Sequence, residues 1–142
     1  MDKHSINSEM DIVAQYLTDD DIISVEYNGT FPKNKDEIDS VYKYFNKLKQ
    51  KDKCKRFIVD FRNVTYLPSV NDMLASAERL KSFEIDDTTM KFVVTPNSET
   101  HKNLNLVKAD VDTKKFLGKN KLNANIFNDF DSALSSFKKI VD

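Results

Sequence analysis

Lys55-Arg56-Phe57-Ile58-Val59-Asp60-Phe61-Arg62-Asn63-Val64-Thr65-Tyr66-Leu67-Pro68-Ser69-Val70-Asn71-Asp72 is the stretch on which the fold turns. Arg56 to Phe61 is a short, nearly continuous apolar run ending near an acid, the composition of a strand buried on both faces. Pro68, Ser69 and Asp72 then carry helix-start chemistry, and Val70, Met73, Leu74, Ala77 and Leu80 recur behind them at helical spacing. A buried strand delivered into a helix is the unit from which α/β proteins are assembled.

Working outward, the same junction recurs downstream. Met90 to Thr95 repeats the buried-strand composition and ends in Pro96-Asn97-Ser98, with a helix expected over 98–118 from Leu104, Val107, Val111, Phe116 and Leu117, and Gly118 as its stop. Ala124 to Phe127 reads as a short strand. Phe130, Ala133, Leu134, Phe137, Ile140 and Val141 then form an amphipathic helix behind the caps of Asn128 to Asp131.

Upstream, Ile38, Val41, Tyr42, Phe45 and Leu48 predict an amphipathic helix over Lys35 to Gln50, acidic at its start and basic at its end. Ile22 to Tyr27 is a β-rich run. Met10 to Leu17 fits a strand or a short helix and is read as a strand, paired with Ile22 to Tyr27 as a hairpin across the acidic turn Asp19 to Asp21. Asn28-Gly29 favours a turn or bulge. Residues 1–9 are polar and are expected to be a flexible N-terminus, with 10–142 as a single domain. The expected fold is α/β: a mixed, mainly parallel sheet of four to five strands with about four helices, joined by right-handed crossovers.

This order of elements resembles the STAS domain, the fold of bacterial anti-sigma factor antagonists, and in particular a branch described as STAS or Sec14-like. The sharpest local likeness is Phe57 to Ser69. In that family an apolar strand ends in Asp-Leu-Ser, and an Asp-Ser pair with a small residue then opens a helix. Asp60 and Phe61 match the strand end, and Ser69 falls at the place of the regulatory phosphoacceptor. Pro68 replaces the Asp before it, and Asn71 replaces the usual small Gly. The resemblance implies a non-enzymatic, regulatory protein-binding domain whose partner is a regulatory protein or a kinase.

Composition narrows the function classes. With 39% hydrophobic and 32% charged residues in 142, the chain has the make-up of one globular domain able to bury a core without metals or disulfides. Lys and Arg total 22 against 23 Asp and Glu, so no general attraction to nucleic acid or anionic lipid is expected. Cys54, the one cysteine, has no partner for an intrachain disulfide, which fits a reducing cytoplasm. No run approaches the ~20 apolar residues of a membrane span, and the polar start lacks the apolar core of a signal peptide. The Asn28-Gly29-Thr30 and Asn63-Val64-Thr65 sequons are therefore chance occurrences.

Chemistry-bearing patterns are few. His4, His101 and Cys54 have no metal-ligand spacing, and two glycines exclude the glycine-rich phosphate and dinucleotide loops, so neither metal nor cofactor is expected. Cys54 lies between Lys53 and Lys55, a setting that lowers a thiol pKa, in a connector where a lone cysteine is usually incidental. Nothing amounts to a catalytic constellation, and an enzyme is not expected; a small hydrolase or transferase using Asp60 or Ser69 is the least favoured alternative, since no positioned base accompanies them.

Two site readings remain. Ser69 is either a helix cap or a phosphoacceptor and partner site, and the two roles are compatible. Asp60, Arg62, Asn63 and Tyr66, joined by Thr95 and Asn97 from the second junction, would line a polar crevice at the carboxyl ends of the strands, where α/β sheets bind ligands. The alternative is structural: Asp60 pins the chain by pairing with Arg62, and Thr95 and Asn97 serve turn and cap. The ligand in the crevice reading is a small apolar or lipid-like molecule. A homodimer through a leftover helix face or sheet edge stays open.

Overall fold

Alternation along the strands divides the apolar residues between two faces of one sheet, and this division is what the computed structural model shows. It describes residues 2–32, 34–66, 69–85, 87–116 and 123–138. The elements run β1 (Asp2–Asn7), β2 (Met10–Leu17), β3 (Ile22–Thr30), α1 (Lys35–Asp52), β4 (Arg56–Tyr66), α2 (Val70–Glu78), a tighter helical turn (Arg79–Phe83), β5 (Thr89–Val93), α3 (Glu99–Phe116), β6 (Asn123–Phe127) and α4 (Phe130–Lys138). The six strands lie side by side in chain order. The pairs β1/β2 and β2/β3 are antiparallel, and β3 through β6 are parallel. The expected mixed, mainly parallel α/β fold is present.

One register row shows how the core is made. Ala14, Val25, Val59, Phe92 and Ile126 face one another across five consecutive strands. All point to the same side of the sheet, where α1, α2 and α3 bring Val41, Phe45, Leu48, Met73, Leu104 and Val111 against them. Among the described residues, the opposite side is covered where α4 lays Ala133 and Phe137 over Ile22, Ile58 and Val93. Residues of β4 thus alternate between two cores, Phe57, Val59 and Phe61 to one and Ile58 to the other. A central parallel strand buried on both faces has this composition for that reason.

Local chemistry sets the ends of α1. Asn34 Oδ1 accepts the Glu37 N–H at 2.8 Å as the N-cap, and the Asn34 Nδ2 donates to the Glu37 carboxylate. At the other end Lys53 takes a left-handed conformation and donates its N–H to the Lys49 carbonyl. A guanidinium–carboxylate pair, Arg79 to Asp39 at 2.6 and 2.8 Å, ties the turn after α2 to α1.

The polar start expected to be flexible is instead the edge strand β1 over Asp2–Asn7. Several contacts hold it, including the Lys3–Asp11 and Lys51–Asp2 ion pairs. Asn7 accepts the Glu9 N–H at 2.7 Å to close the turn into β2, and His4 stacks on Tyr44 of α1 with ring centroids 4.2 Å apart. The strand is polar because its outer face and edge meet water, and this hides it from apolar periodicity. Asn28-Gly29, read as a turn or bulge, lies within β3, where the pairing with β4 shifts register on either side. Gly29 takes a φ of 109°, and its Cα hydrogen faces the Glu9 carbonyl. Of the stripe assigned to the last helix, Ile140 and Val141 lie outside the described residues, as do Leu117 and Gly118 of the preceding one.

Candidate functional site

The central strand does not stop at Phe61. It continues to Tyr66, so Arg62 and Asn63 are strand residues rather than loop residues. Asp60 accepts the Arg62 N–H at 2.9 Å and its guanidinium Nε and Nη2 at 3.0 and 2.8 Å. The Asp60 carboxylate, with Glu26 and Asp129 further off, holds the Arg62 pKa above its ordinary value. Asn63 turns the other way, donating to Glu26 at 2.5 Å and to Asn28 at 3.0 Å on β3. Asn28 in turn donates to Asp11 at 3.3 Å, and Asp11 pairs with Lys3 at 3.5 Å. A polar ladder therefore runs from β4 to β1 on the face that α4 leaves uncovered.

The second junction is self-contained. The Ser98 hydroxyl donates to the Thr95 carbonyl at 2.6 Å and accepts the His101 N–H at 3.1 Å, capping α3. Asn97, with a left-handed φ of 60°, donates its N–H to His101 Nδ1 at 3.1 Å. Thr95 and Asn97 are exposed, and Asn63 reaches away from them towards β3. The side chain of Tyr66 lies outside the described residues, while its backbone pairs with Thr30.

The exposed Ser69 hydroxyl accepts the Asp72 N–H at 3.2 Å, the cap expected for α2. Leu67 and Pro68 lie outside the described residues. Asp129 caps α4 in the same way, accepting the Ser132 N–H at 2.7 Å, and this bond holds its carboxyl below the usual range. Cys54 is buried, with its thiol against the Asp21 carbonyl, and burial pushes its pKa up rather than down.

Two features escape sequence reasoning. Lys91 of β5 is buried beneath α4, and no hydropathy pattern marks it. An apolar cavity of about 90 Å³ lies between the sheet and α1 to α3, lined by Phe31, Phe61, Phe92, Met73 and Leu104 among others. Met73 and Leu104 lie on the apolar stripes expected of their helices, and only packing in three dimensions shows the gap. Among the described residues no helix is long and apolar enough to cross a membrane, and no group of His, Cys, Asp or Glu is placed to hold a metal.

No protein-family model matches the chain, and no curated protein does. Among solved structures, the crystal structure of an anti-sigma factor antagonist from Mycobacterium paratuberculosis superposes with a TM-score of 0.52. The match covers 89% of this chain and 94% of that one at 16% sequence identity. The fold is therefore STAS-like, the class that the strand-to-helix run at Ser69 resembles.

Proposed function

We propose that this domain acts by recognition in the cytoplasm, binding a regulatory protein through the exposed start of α2, with phosphorylation of Ser69 by a kinase as the switch. The observation that carries the reading is the position of Ser69: exposed, at a helix N-terminus, with its hydroxyl capping its own helix. A phosphate there brings about −1.5 to −2 charges to a surface whose first-turn acid, Asp72, already repels anions. A partner that docks on the unmodified surface loses its fit. The fold's likeness to an anti-sigma factor antagonist supports a protein partner.

The test separates charge from folding. Asp is as good an N-cap as Ser, so Ser69→Asp adds charge while keeping α2 capped, and Ser69→Ala removes the cap at a cost of about 1 kcal/mol without adding charge. Affinity capture from the source cells, with wild type, Ser69→Ala and Ser69→Asp, should recover a protein that Ser69→Asp alone loses. Mass spectrometry of the native protein should find phosphate on Ser69. Recovery of the same proteins by all three, with Ser69 unmodified, refutes the reading.

A further inference from the structure

Tyr44 of α1 carries the one buried side-chain polar atom that lacks a hydrogen-bond partner among the described residues, its hydroxyl oxygen. The residue is only 8% exposed, and its ring lies flat against His4 of β1, with centroids 4.2 Å apart and planes 7° from parallel. A buried hydroxyl left unpaired forfeits its bonds to water without replacement, so such groups are rare and call for an account. Burial and the nearby Asp2 charge hold the Tyr44 pKa above its ordinary value, so the group keeps its proton and can donate it. Around it β1 and α1 form an open groove of about 380 Å³, lined by Asp2, Lys3, His4, Lys47, Leu48 and Lys51. That volume falls within the ~300–1,000 Å³ span of small-ligand sites.

We propose that this groove binds a small, water-soluble molecule bearing a phosphate group, whose oxygens accept a hydrogen bond from the Tyr44 hydroxyl and lie among Lys3, Lys47 and Lys51. Three ammonium groups against one lining carboxylate, Asp2, leave two positive charges in excess, the complement of a dianion. The existing pairs are loose. Lys51 meets Asp2 at 3.4 Å and Lys3 meets Asp11 at 3.5 Å, with the two lysine side chains 62% and 70% exposed. Such pairs contribute little and can be exchanged for ligand oxygens. Lys47 is exposed and has no ion pair among the described residues. A phosphate monoester carries about −1.5 to −2 charges at neutral pH and three acceptor oxygens, enough for the hydroxyl and two of the lysines. The hydroxyl is closed off from water, so the long Lys3 and Lys51 side chains swing aside to admit the ligand. The groove draws on β1 and α1 and on nothing from α2, so it stands or falls independently of the role of Ser69.

Sodium phosphate titrated into the full chain at neutral pH, with backbone amide signals followed by NMR, tests the site, and sodium acetate and sodium chloride at matched ionic strength are the controls. Phosphate is expected to shift the amides of His4, Tyr44, Lys47 and Lys51 saturably, acetate to bind about fivefold or more weakly, and chloride to shift nothing. Lys47→Gln and Tyr44→Phe are each expected to weaken phosphate by about fivefold or more. Without phosphate, Tyr44→Phe should resist urea at least as well as wild type, since it loses only an unpaired hydroxyl. No saturable shift up to about 50 mM phosphate overturns the site, and acetate binding as tightly as phosphate overturns the dianion. Phosphate affinity unchanged in Tyr44→Phe, or a fold lost with it, overturns the role of the hydroxyl. Lys47→Gln, on an exposed side chain, still decides the site in that case: unchanged affinity there overturns it. Vesicles containing phosphatidic acid should not sediment the chain, and sedimentation that free phosphate fails to reverse overturns a soluble ligand in favour of a lipid headgroup.

Discussion

Arg62 folds back onto Asp60, two residues earlier on the same face of β4, and gives one carboxylate three donors. The pair is closed on itself, which leaves neither charge free to grip a ligand. Because Arg62 is 41% exposed in its side chain, water screens most of the attraction. Asp60→Asn is expected to lower stability by no more than about 1 kcal/mol, and by less in molar salt. Urea unfolding at low and high salt measures both. A collapse of the fold would instead make this pair a pin of the central strand.

Gly29 has no such tolerance. A Cβ at this position would stand 2.0 Å from the Glu9 carbonyl oxygen, and the φ of 109° is one that side-chain-bearing residues avoid. Gly29→Ala should therefore cost roughly 3 kcal/mol, the sum of backbone strain and a forced separation of β2 from β3. Equilibrium denaturation gives the value. A loss below about 1 kcal/mol would mean that the bulge relaxes freely.

Lys91 tests how a buried cation is kept. It is 4% exposed, its Nζ donates to Ser136 at 2.5 Å and lies 4.1 Å from the Phe137 ring centre, and no carboxylate partners it among the described residues. Burial lowers its pKa, with the Arg56 charge adding to the effect. The folded state thus binds fewer protons than the unfolded chain between that lowered value and about 10.4, so stability should rise with pH across this window. Lys91→Met should abolish the rise and equal or exceed the wild type by about 1 kcal/mol at neutral pH. A large destabilisation would show that the ring contacts outweigh desolvation.

Asp87 governs the acid limb. Lys55 at 2.8 Å, and Lys49 at 3.3 Å, hold its carboxyl below the usual range. The stability this contributes is complete above about pH 4, the unfolded value, and is lost as pH falls through the lowered folded value. Asp87→Asn should flatten the decline of thermal stability below about pH 4 and change little at neutral pH beyond the lost ion pairs. An unchanged acid profile would assign that limb to other carboxylates.

The chain states its parallel half plainly and its antiparallel edge poorly. Phe57, Ile58 and Val59 are apolar in succession because both faces of β4 are covered, so composition alone marks the strand. β1 carries Asp2, Lys3, His4 and Ser5, and its place is set by the Asn7 turn and the His4 stack, neither of which has a period. The strand end at Phe61 was misplaced for a related reason. Beyond it, alternate residues of β4 face solvent on the α4 side of the sheet, past the stretch that α4 covers, and polar side chains there read as a loop. Of the candidate site, the cap at Ser69 is legible because capping is local chemistry. The cavity is not, since it is a mismatch of shapes among residues each of which has ordinary core character.

The strands lie across the sheet in the order in which they are translated. None has to be threaded between two earlier ones, so every pairing needs only the edge left by its predecessor, and loop closures stay short throughout. Such a sheet can accrete as the polypeptide leaves the ribosome, with the β1 to β3 meander as the template onto which each later βα unit is laid.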